Sequence, residues 1–282
     1  MATFRTYLKL GRVSNWPTVW SNCFAGWLLG GGGEWPALVW LGGGATALYF
    51  SGTCLNDAFD AQWDQQRRPE RPLPSGDIRL AEVWQWGLIT MAVGVAALAV
   101  QGRTTTLLAL ALAATILVYD AIHKIFAFAP VLMAACRGLL VLAAASVGRD
   151  GITGLSVWSA LVLASYVAGL GFLAQRESGA SERRYWPCLL FAAPLVLACI
   201  VNRGEWFWRG ALLGVALFFW TLWWLRFALA KRQRNVAYSV AGLLAGIPLV
   251  DLLAVCGGGG TAGVFLALWI AALLLQRLAP AT

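Results

Sequence analysis

Apolar runs of about the length needed to cross a lipid bilayer recur along this chain almost from end to end. A membrane-spanning helix needs roughly 20 apolar residues. Segments near 14–32, 36–55, 82–101, 104–122, 128–148, 153–174, 185–201, 206–226, 237–255 and 261–279 come close to that measure. Ten such runs in 282 residues leave room for little besides short connections. Only 12% of the residues are charged, against roughly 25% in a soluble domain. A water-soluble globule, a disordered chain and a collagen-like chain are thereby excluded. The reading is an all-α transmembrane helical bundle of nine or ten spans, forming a single integral-membrane domain over residues 1–282 with the lipid bilayer as its solvent.

The net charge of +8 would suggest nucleic acid in a soluble protein. Here the basic residues fall between apolar runs, so they report orientation instead, and no nucleic-acid partner is expected. With the N-terminus inside, sixteen Lys and Arg residues lie on the inner side, four on the outer side, and Arg137 within a span. Both polar insertions, 56–81 and 175–184, then cap the cytoplasmic face. The N-terminal Arg5, Lys9 and Arg12 precede the first long apolar run without a small-residue cleavage site, so no removable signal peptide is read there. The six cysteines include no CxxC pair and read as small packing residues. His123 is the only histidine, which excludes a multi-histidine zinc site.

The first insertion opens Asn56-Asp57-Ala58-Phe59-Asp60-Ala61-Gln62-Trp63-Asp64. Offsets of 3 and 7 place Asp57, Asp60 and Asp64 on one face of a helix. Carboxylates so crowded need a cation, and Mg2+ suits hard oxygen donors that share it with water and phosphate. Next comes Arg67-Arg68-Pro69-Glu70-Arg71-Pro72-Leu73-Pro74-Ser75-Gly76. Arginine forks match phosphate oxygens, and the prolines and Gly76 stiffen the turn. Together the two stretches read as a diphosphate site.

At this point the chain resembles a known family. The asparagine-led aspartate motif and the RPERPLPSG loop are similar to the first signature of the UbiA superfamily of intramembrane prenyltransferases. Gly11-Arg12 and Asn15 before the first span, Asn22 within it, and Tyr119 with Lys124 after the fourth agree with it. The resemblance implies a helical bundle around a central cavity, in a bacterial plasma membrane. It implies a Mg2+-bound polyprenyl diphosphate whose prenyl group passes to a small aromatic or lipid-precursor acceptor. Asn56, Asp57, Asp60 and Asp64 become the first metal–diphosphate motif, Arg71 a phosphate contact, and Tyr119 with Lys124 a polar pair. Asp57, Asp60, Asp64 and Lys124 are the expected catalytic residues; Asn56, Arg71, Tyr119, Arg137, Arg176, Arg12 and Asn15 are expected to bind substrate. Nothing in the sequence sets the oligomeric state.

The chain departs from the family where a second aspartate motif is usual. Residues 173–182 read Leu-Ala-Gln-Arg-Glu-Ser-Gly-Ala-Ser-Glu, with no aspartate. Glu177 can supply a metal oxygen and Arg176 can neutralise phosphate; both can equally be ordinary loop residues. The alternative function is therefore non-catalytic binding or transport of a lipid-linked metabolite on a prenyltransferase-like scaffold. A phosphatidyl transferase ranks last, because its D-G-x-x-A-R pattern is absent. Arg137 lies near the middle of a span, where a charge costs at least about 2.5–3.5 kcal/mol. It is expected to face the cavity against a phosphate, Asp120 or a cap carboxylate. Asp251, in the ninth span, is expected to pair with Arg234 or Arg137.

Overall fold

A chain segment inside hydrocarbon has no water to satisfy its backbone, so it must bond to itself, and a helix does this completely. The computed structural model describes residues 3–175, 186–229, 235–256 and 259–277, and no strand occurs among them. A short helix α1 (Phe4–Leu10) leads into α2 (Trp16–Leu29), α3 (Trp35–Phe59) and α4 (Ala61–Arg67). Then follow α5 (Leu80–Ala99), α6 (Arg103–Ile122), α7 (Ala129–Val147), α8 (Gly154–Ala174) and α9 (Ala193–Val201). The chain ends with α10 (Phe207–Leu229), α11 (Val236–Ala245), α12 (Ile247–Val255) and α13 (Gly259–Leu275).

Proline sets several of these starts. Pro17, Pro36, Pro130, Pro194 and Pro248 each occupy the second position of a helix. There the missing N–H costs no hydrogen bond and the fixed φ is already helical. Pro248 also explains why the ninth apolar run is two helices, α11 and α12, joined at Gly246. A proline cannot bond back to the preceding turn.

Seven helical stretches are long and apolar enough to cross a membrane: 35–59, 80–99, 103–122, 129–147, 154–174, 204–229 and 236–255. The helices at 16–29, 186–201 and 260–275 fall short of that length. Helix therefore occurs at all ten expected places, seven of them at full spanning length. Leu88, Ile89 and Val93 on α5, and Leu212, Phe219 and Trp223 on α10, are exposed and apolar, as a lipid-facing surface must be. The chain is an integral membrane protein.

Between helices there is no hydrophobic gain in lipid, so close packing and polar contacts hold spans together. Gly26 of α2 and Gly30 just after it lie against α7, where an added Cβ would collide with the carbonyl oxygens of Val141 and Ala145. The approach brings polar side chains of both helices within reach. Arg137 on α7 donates to Asn22 Oδ1 at 2.8 Å and to Thr18 Oγ1 at 3.1 Å. Asn22 Nδ2 donates to Asp251 Oδ2 on α12 at 2.8 Å, and Ser21 donates to the same oxygen. This corrects the expected partners. Arg137 meets neither Asp120 nor a cap carboxylate, and it reaches Asp251 only through the Asn22 amide. Arg234 lies outside the described residues.

Replacing Asp251 by leucine leaves the Asn22 amide and the Ser21 hydroxyl without their buried acceptor. A loss of about 2 kcal/mol or more is expected, read as a lower unfolding midpoint in detergent micelles; an unchanged midpoint contradicts the tie between α2 and α12.

Candidate functional site

The acidic motif sits where α3 leaves the apolar bundle. α3 ends at Phe59, and Asp60 caps both α3 and α4. Backbone bonds run to either side, Asp60 N to Asn56 O at 3.0 Å and Asp64 N to Asp60 O at 2.9 Å. Asp60 itself takes φ −84° and ψ 0°, outside the helical range, and the helix is kinked there. Asn56, Asp57, Asp60 and Asp64 are all buried, at 9% exposure or less. Carboxylates removed from water in this way need cations or strong donors.

Arg71 supplies the first of these. Its Nη1 lies 3.2 Å from Asp57 Oδ1 and 2.6 Å from Asp64 Oδ2, bridging the two. The loop that carries it is folded back by its own turns: Ser75 N to Arg71 O at 3.0 Å, and Asp77 N to Pro72 O at 3.0 Å. Gly76 takes φ +79°, which a side chain would resist. Ile78 then pins the loop into a small cluster with Leu10, Cys54, Ala58 and Val83. Arg12 comes from the turn before α2, in the left-handed region at φ +43°. Its Nη2 donates to Asn56 Oδ1 at 3.1 Å and Asp57 Oδ1 at 3.0 Å. Burial alone would lower the Arg12 pKa, but Asp57, Tyr49 and Tyr119 together more than offset this, so the guanidinium is held above its usual value.

The other half of the site comes from the end of α6. Lys124 Nζ is 2.9 Å and His123 Nε2 is 3.3 Å from Asp60 Oδ2. The His123 ring stacks on Tyr119 with centroids 5.1 Å apart, and its Nδ1 faces the Asp120 carbonyl oxygen at 3.1 Å. Burial alone would raise the Asp60 pKa; hydrogen bonds from His123 and Lys124 hold it below the usual carboxylate value. Asn56 joins the halves, donating its Nδ2 to Asp120 Oδ1 at 3.2 Å. Asp120, buried at 3% exposure, is a fourth carboxylate of the cluster. Sequence reading had it only as a partner for Arg137, and an aspartate following Tyr119 in so charge-poor a chain was the available signal.

Two sequence expectations are corrected by this arrangement. Asp57, Asp60 and Asp64 do not converge as one metal-binding triad: Arg71 stands between Asp57 and Asp64, while the bend at Asp60 turns that residue to His123 and Lys124. Among the described residues no group of three or more Asp, Glu, His or Cys side chains is placed to hold a metal ion. Arg137 does not join the cluster either. Asp57 and Asp64 nonetheless fit Mg2+ by donor chemistry, being two hard-oxygen ligands close enough to share one nitrogen, and Mg2+ commonly takes only one or two carboxylates. Asn15 donates to the Tyr49 hydroxyl at 3.0 Å. Arg176 and Glu177 lie outside the described residues.

The model of the UbiA prenyltransferase family matches residues 14–238. A digeranylgeranylglyceryl phosphate synthase from Methanocaldococcus jannaschii is 33% identical over 96 residues, 33% of this chain and 34% of the relative. One from Metallosphaera sedula is 27% identical over 162 residues, 57% of this chain and 47% of the relative. The chain thus matches a third to a half of the length of these curated relatives. Among solved structures, a UbiA homolog from Aeropyrum pernix K1 superposes with TM-score 0.63 at 18% identity, covering 83% of this chain and 98% of that one. A UbiA homolog from Archaeoglobus fulgidus bound to GPP and Mg2+ gives 0.60 at 15% identity, covering 94% and 99%. At such identities the likeness is one of fold.

Because the folded Asp60 pKa is depressed, its contribution to stability is complete above the unfolded value of about 3.9 and is lost as pH falls through the folded value. Lys124→Met removes a cation from Asp60 and should move that loss to higher pH. The acid midpoint of unfolding in micelles reads this directly, and a midpoint shared with the wild type contradicts the assignment.

Proposed function

We propose that this chain, which belongs to the UbiA prenyltransferase family, transfers a prenyl group from a polyprenyl diphosphate to a small acceptor at the polar cap. The observation that carries the reading is the pairing of buried carboxylates with Arg12, Arg71 and Lys124 where the apolar bundle ends. In this reading Asp57 and Asp64 hold Mg2+, which when bound offsets negative charge on the diphosphate oxygens. Arg71 and Arg12 exchange carboxylate oxygens for phosphate oxygens, which their planar forks match equally well. Lys124 adds a point charge, and His123 and Tyr119 keep Asp60 oriented toward it. As the carbon–oxygen bond breaks, these fixed positive groups stabilise the departing diphosphate, and the acceptor attacks the allylic carbon left behind. The apolar helices hold the isoprenoid tail and exclude water from that carbon.

Arg176 and Glu177 stand where a second aspartate motif would be, and in this reading Arg176 neutralises the diphosphate in place of a second metal ion while Glu177 supplies an oxygen to Mg2+. Arginine removes about one negative charge where Mg2+ removes two, so slower chemistry is expected than with two aspartate motifs. The same aspartate-free loop favours the second reading, in which a lipid-linked metabolite is bound or moved without transfer. The relatives named for digeranylgeranylglyceryl phosphate support a phosphate-bearing glycerol lipid as acceptor, beside the aromatic class. Residues 1–282 act as one domain, and the cap faces the cytoplasm, on the strength of sixteen basic residues against four.

Calorimetry with geranyl S-thiolodiphosphate, which resists cleavage, should show binding that requires Mg2+ and vanishes with a chelator. Asp57→Asn should weaken it by about 10- to 100-fold. Binding indifferent to Mg2+ and to Asp57 would sink the proposed site. Orientation has its own check: Ser75→Cys, on the exposed cap loop, should react with an impermeant thiol reagent only after cells are permeabilised, and rapid labelling of intact cells reverses the assignment.

A further inference from the structure

Prenyl transfer frees a proton. The carbon–oxygen bond to the diphosphate breaks with its electron pair on the leaving oxygen, and the acceptor's nucleophilic atom supplies the pair for the new bond. The hydrogen that this atom carried must then go to a base. Few groups of the charged cluster are free to take it. Asp57 lies on Arg12 and Arg71, Asp64 on Arg71, and Asp60 on Lys124. Each of these carboxylates is engaged by a cation. His123 faces an oxygen with each ring nitrogen, the Asp120 carbonyl at 3.1 Å and Asp60 Oδ2 at 3.3 Å, so neither nitrogen is turned to a ligand.

Asp120 differs from all of them. It is buried at 3% exposure, and among the described residues no cation pairs with it. Its Oδ1 accepts from Asn56 Nδ2 at 3.2 Å, whereas its Oδ2 has no hydrogen-bond partner among the described residues. Such an oxygen is costly, since its hydration is lost and nothing replaces it. Asp120 belongs to the last turn of α6, four residues nearer the apolar bundle than Lys124. Around it stand Asn56 of α3, Tyr119 and His123 beside it in sequence, and Cys136 of α7, with Arg12 and Asp60 close enough to act through space. In the transfer reading this is where the acceptor meets the allylic carbon, just inside the cations that hold the diphosphate.

We infer that Asp120 is the base of the reaction, its Oδ2 taking the proton from the acceptor's nucleophilic atom as the new bond forms. The inference rests on the transfer reading above and adds a constraint on the acceptor. Its nucleophile is a hydroxyl or an aromatic carbon that carries a hydrogen; a tertiary amine or a thioether has no proton to give. Asn56 steadies the carboxylate through Oδ1, and the same amide takes Arg12 on its oxygen. At rest Oδ2 is closed to solvent. Once Arg12 moves to a phosphate oxygen, Asn56 is released from that tie and the acceptor enters beside Oδ2. The proton passes to water at the cap when the products leave.

The test uses the purified full chain in micelles with Mg2+, labelled geranylgeranyl diphosphate, and 4-hydroxybenzoate or geranylgeranylglyceryl phosphate as acceptor. Released diphosphate and labelled product are counted separately. In the wild type the two should keep pace on the productive acceptor. Asp120→Asn keeps the volume and an oxygen for Asn56 but cannot take the proton. Its kcat for product should fall by about 100- to 10,000-fold, and its yield of product per diphosphate released should fall too, because prenyl groups are lost to water. Geranyl S-thiolodiphosphate should still bind, and Asp120→Glu should recover part of the product. Wild-type turnover in Asp120→Asn overturns the inference. So does an equal fall of product and diphosphate release, which marks a residue that only shapes the donor site. If Asp120→Asn does not bind the thiolodiphosphate, Asp120→Ser, which also offers Asn56 an oxygen, is read in its place. Failure of both to bind puts Asp120 in the donor site and overturns the inference as well. Absence of transfer by the wild type to either acceptor overturns the transfer reading itself, and the base with it.

Discussion

The whole site depends on charges at the edge of hydrocarbon neutralising one another. Three buried carboxylates, Asp57, Asp60 and Asp64, are met by Arg12, Arg71 and Lys124, with His123 also on Asp60, and Asn56 ties in the buried Asp120. Taking an ion out of water is costly, and removing one member of such a set leaves its partner uncompensated. The lattice therefore holds together as a unit, and it draws α3, the loop at Arg71, the turn before α2 and the end of α6 into one place. The same property suits it to a multiply charged ligand. Arginines already aligned on carboxylate oxygens need little reorganisation to meet phosphate oxygens instead.

The scaffold beneath serves that placement. Proline at the second position starts five of the helices. Gly26 and Gly30 let α2 press against α7, which brings Thr18 and Asn22 onto Arg137. The face of α2 that carries Thr18, Ser21 and Asn22 consequently meets polar groups of α7 and α12. In a membrane protein such a face belongs toward the interior, since lipid gives it no partner.

Much of this was legible in the sequence, and what escaped it has physical causes. The apolar runs alone placed helices at all ten sites, because bilayer thickness sets span length directly. The NDxxDxxxD spacing and the proline-stiffened loop marked the polar cap. Counting along an ideal helix, however, assumed a straight axis. The bend at Asp60 broke that assumption and sent Asp60 to His123 and Lys124. Long-range pairs were also invisible. Asn22 bonds to residues 115 and 229 positions away, so nothing local announces that it relays Arg137 to Asp251. Asp120 escaped for the same reason, being tied to Asn56 across 64 residues.

The most direct test of the account is the labelled product formed when membranes containing this protein receive radiolabelled geranylgeranyl diphosphate and Mg2+. The account predicts a new apolar labelled species, absent when a chelator is added and absent from membranes carrying the Asp57→Asn, Asp64→Asn double variant. A product that persists in the double variant, or that forms equally well without Mg2+, would contradict it.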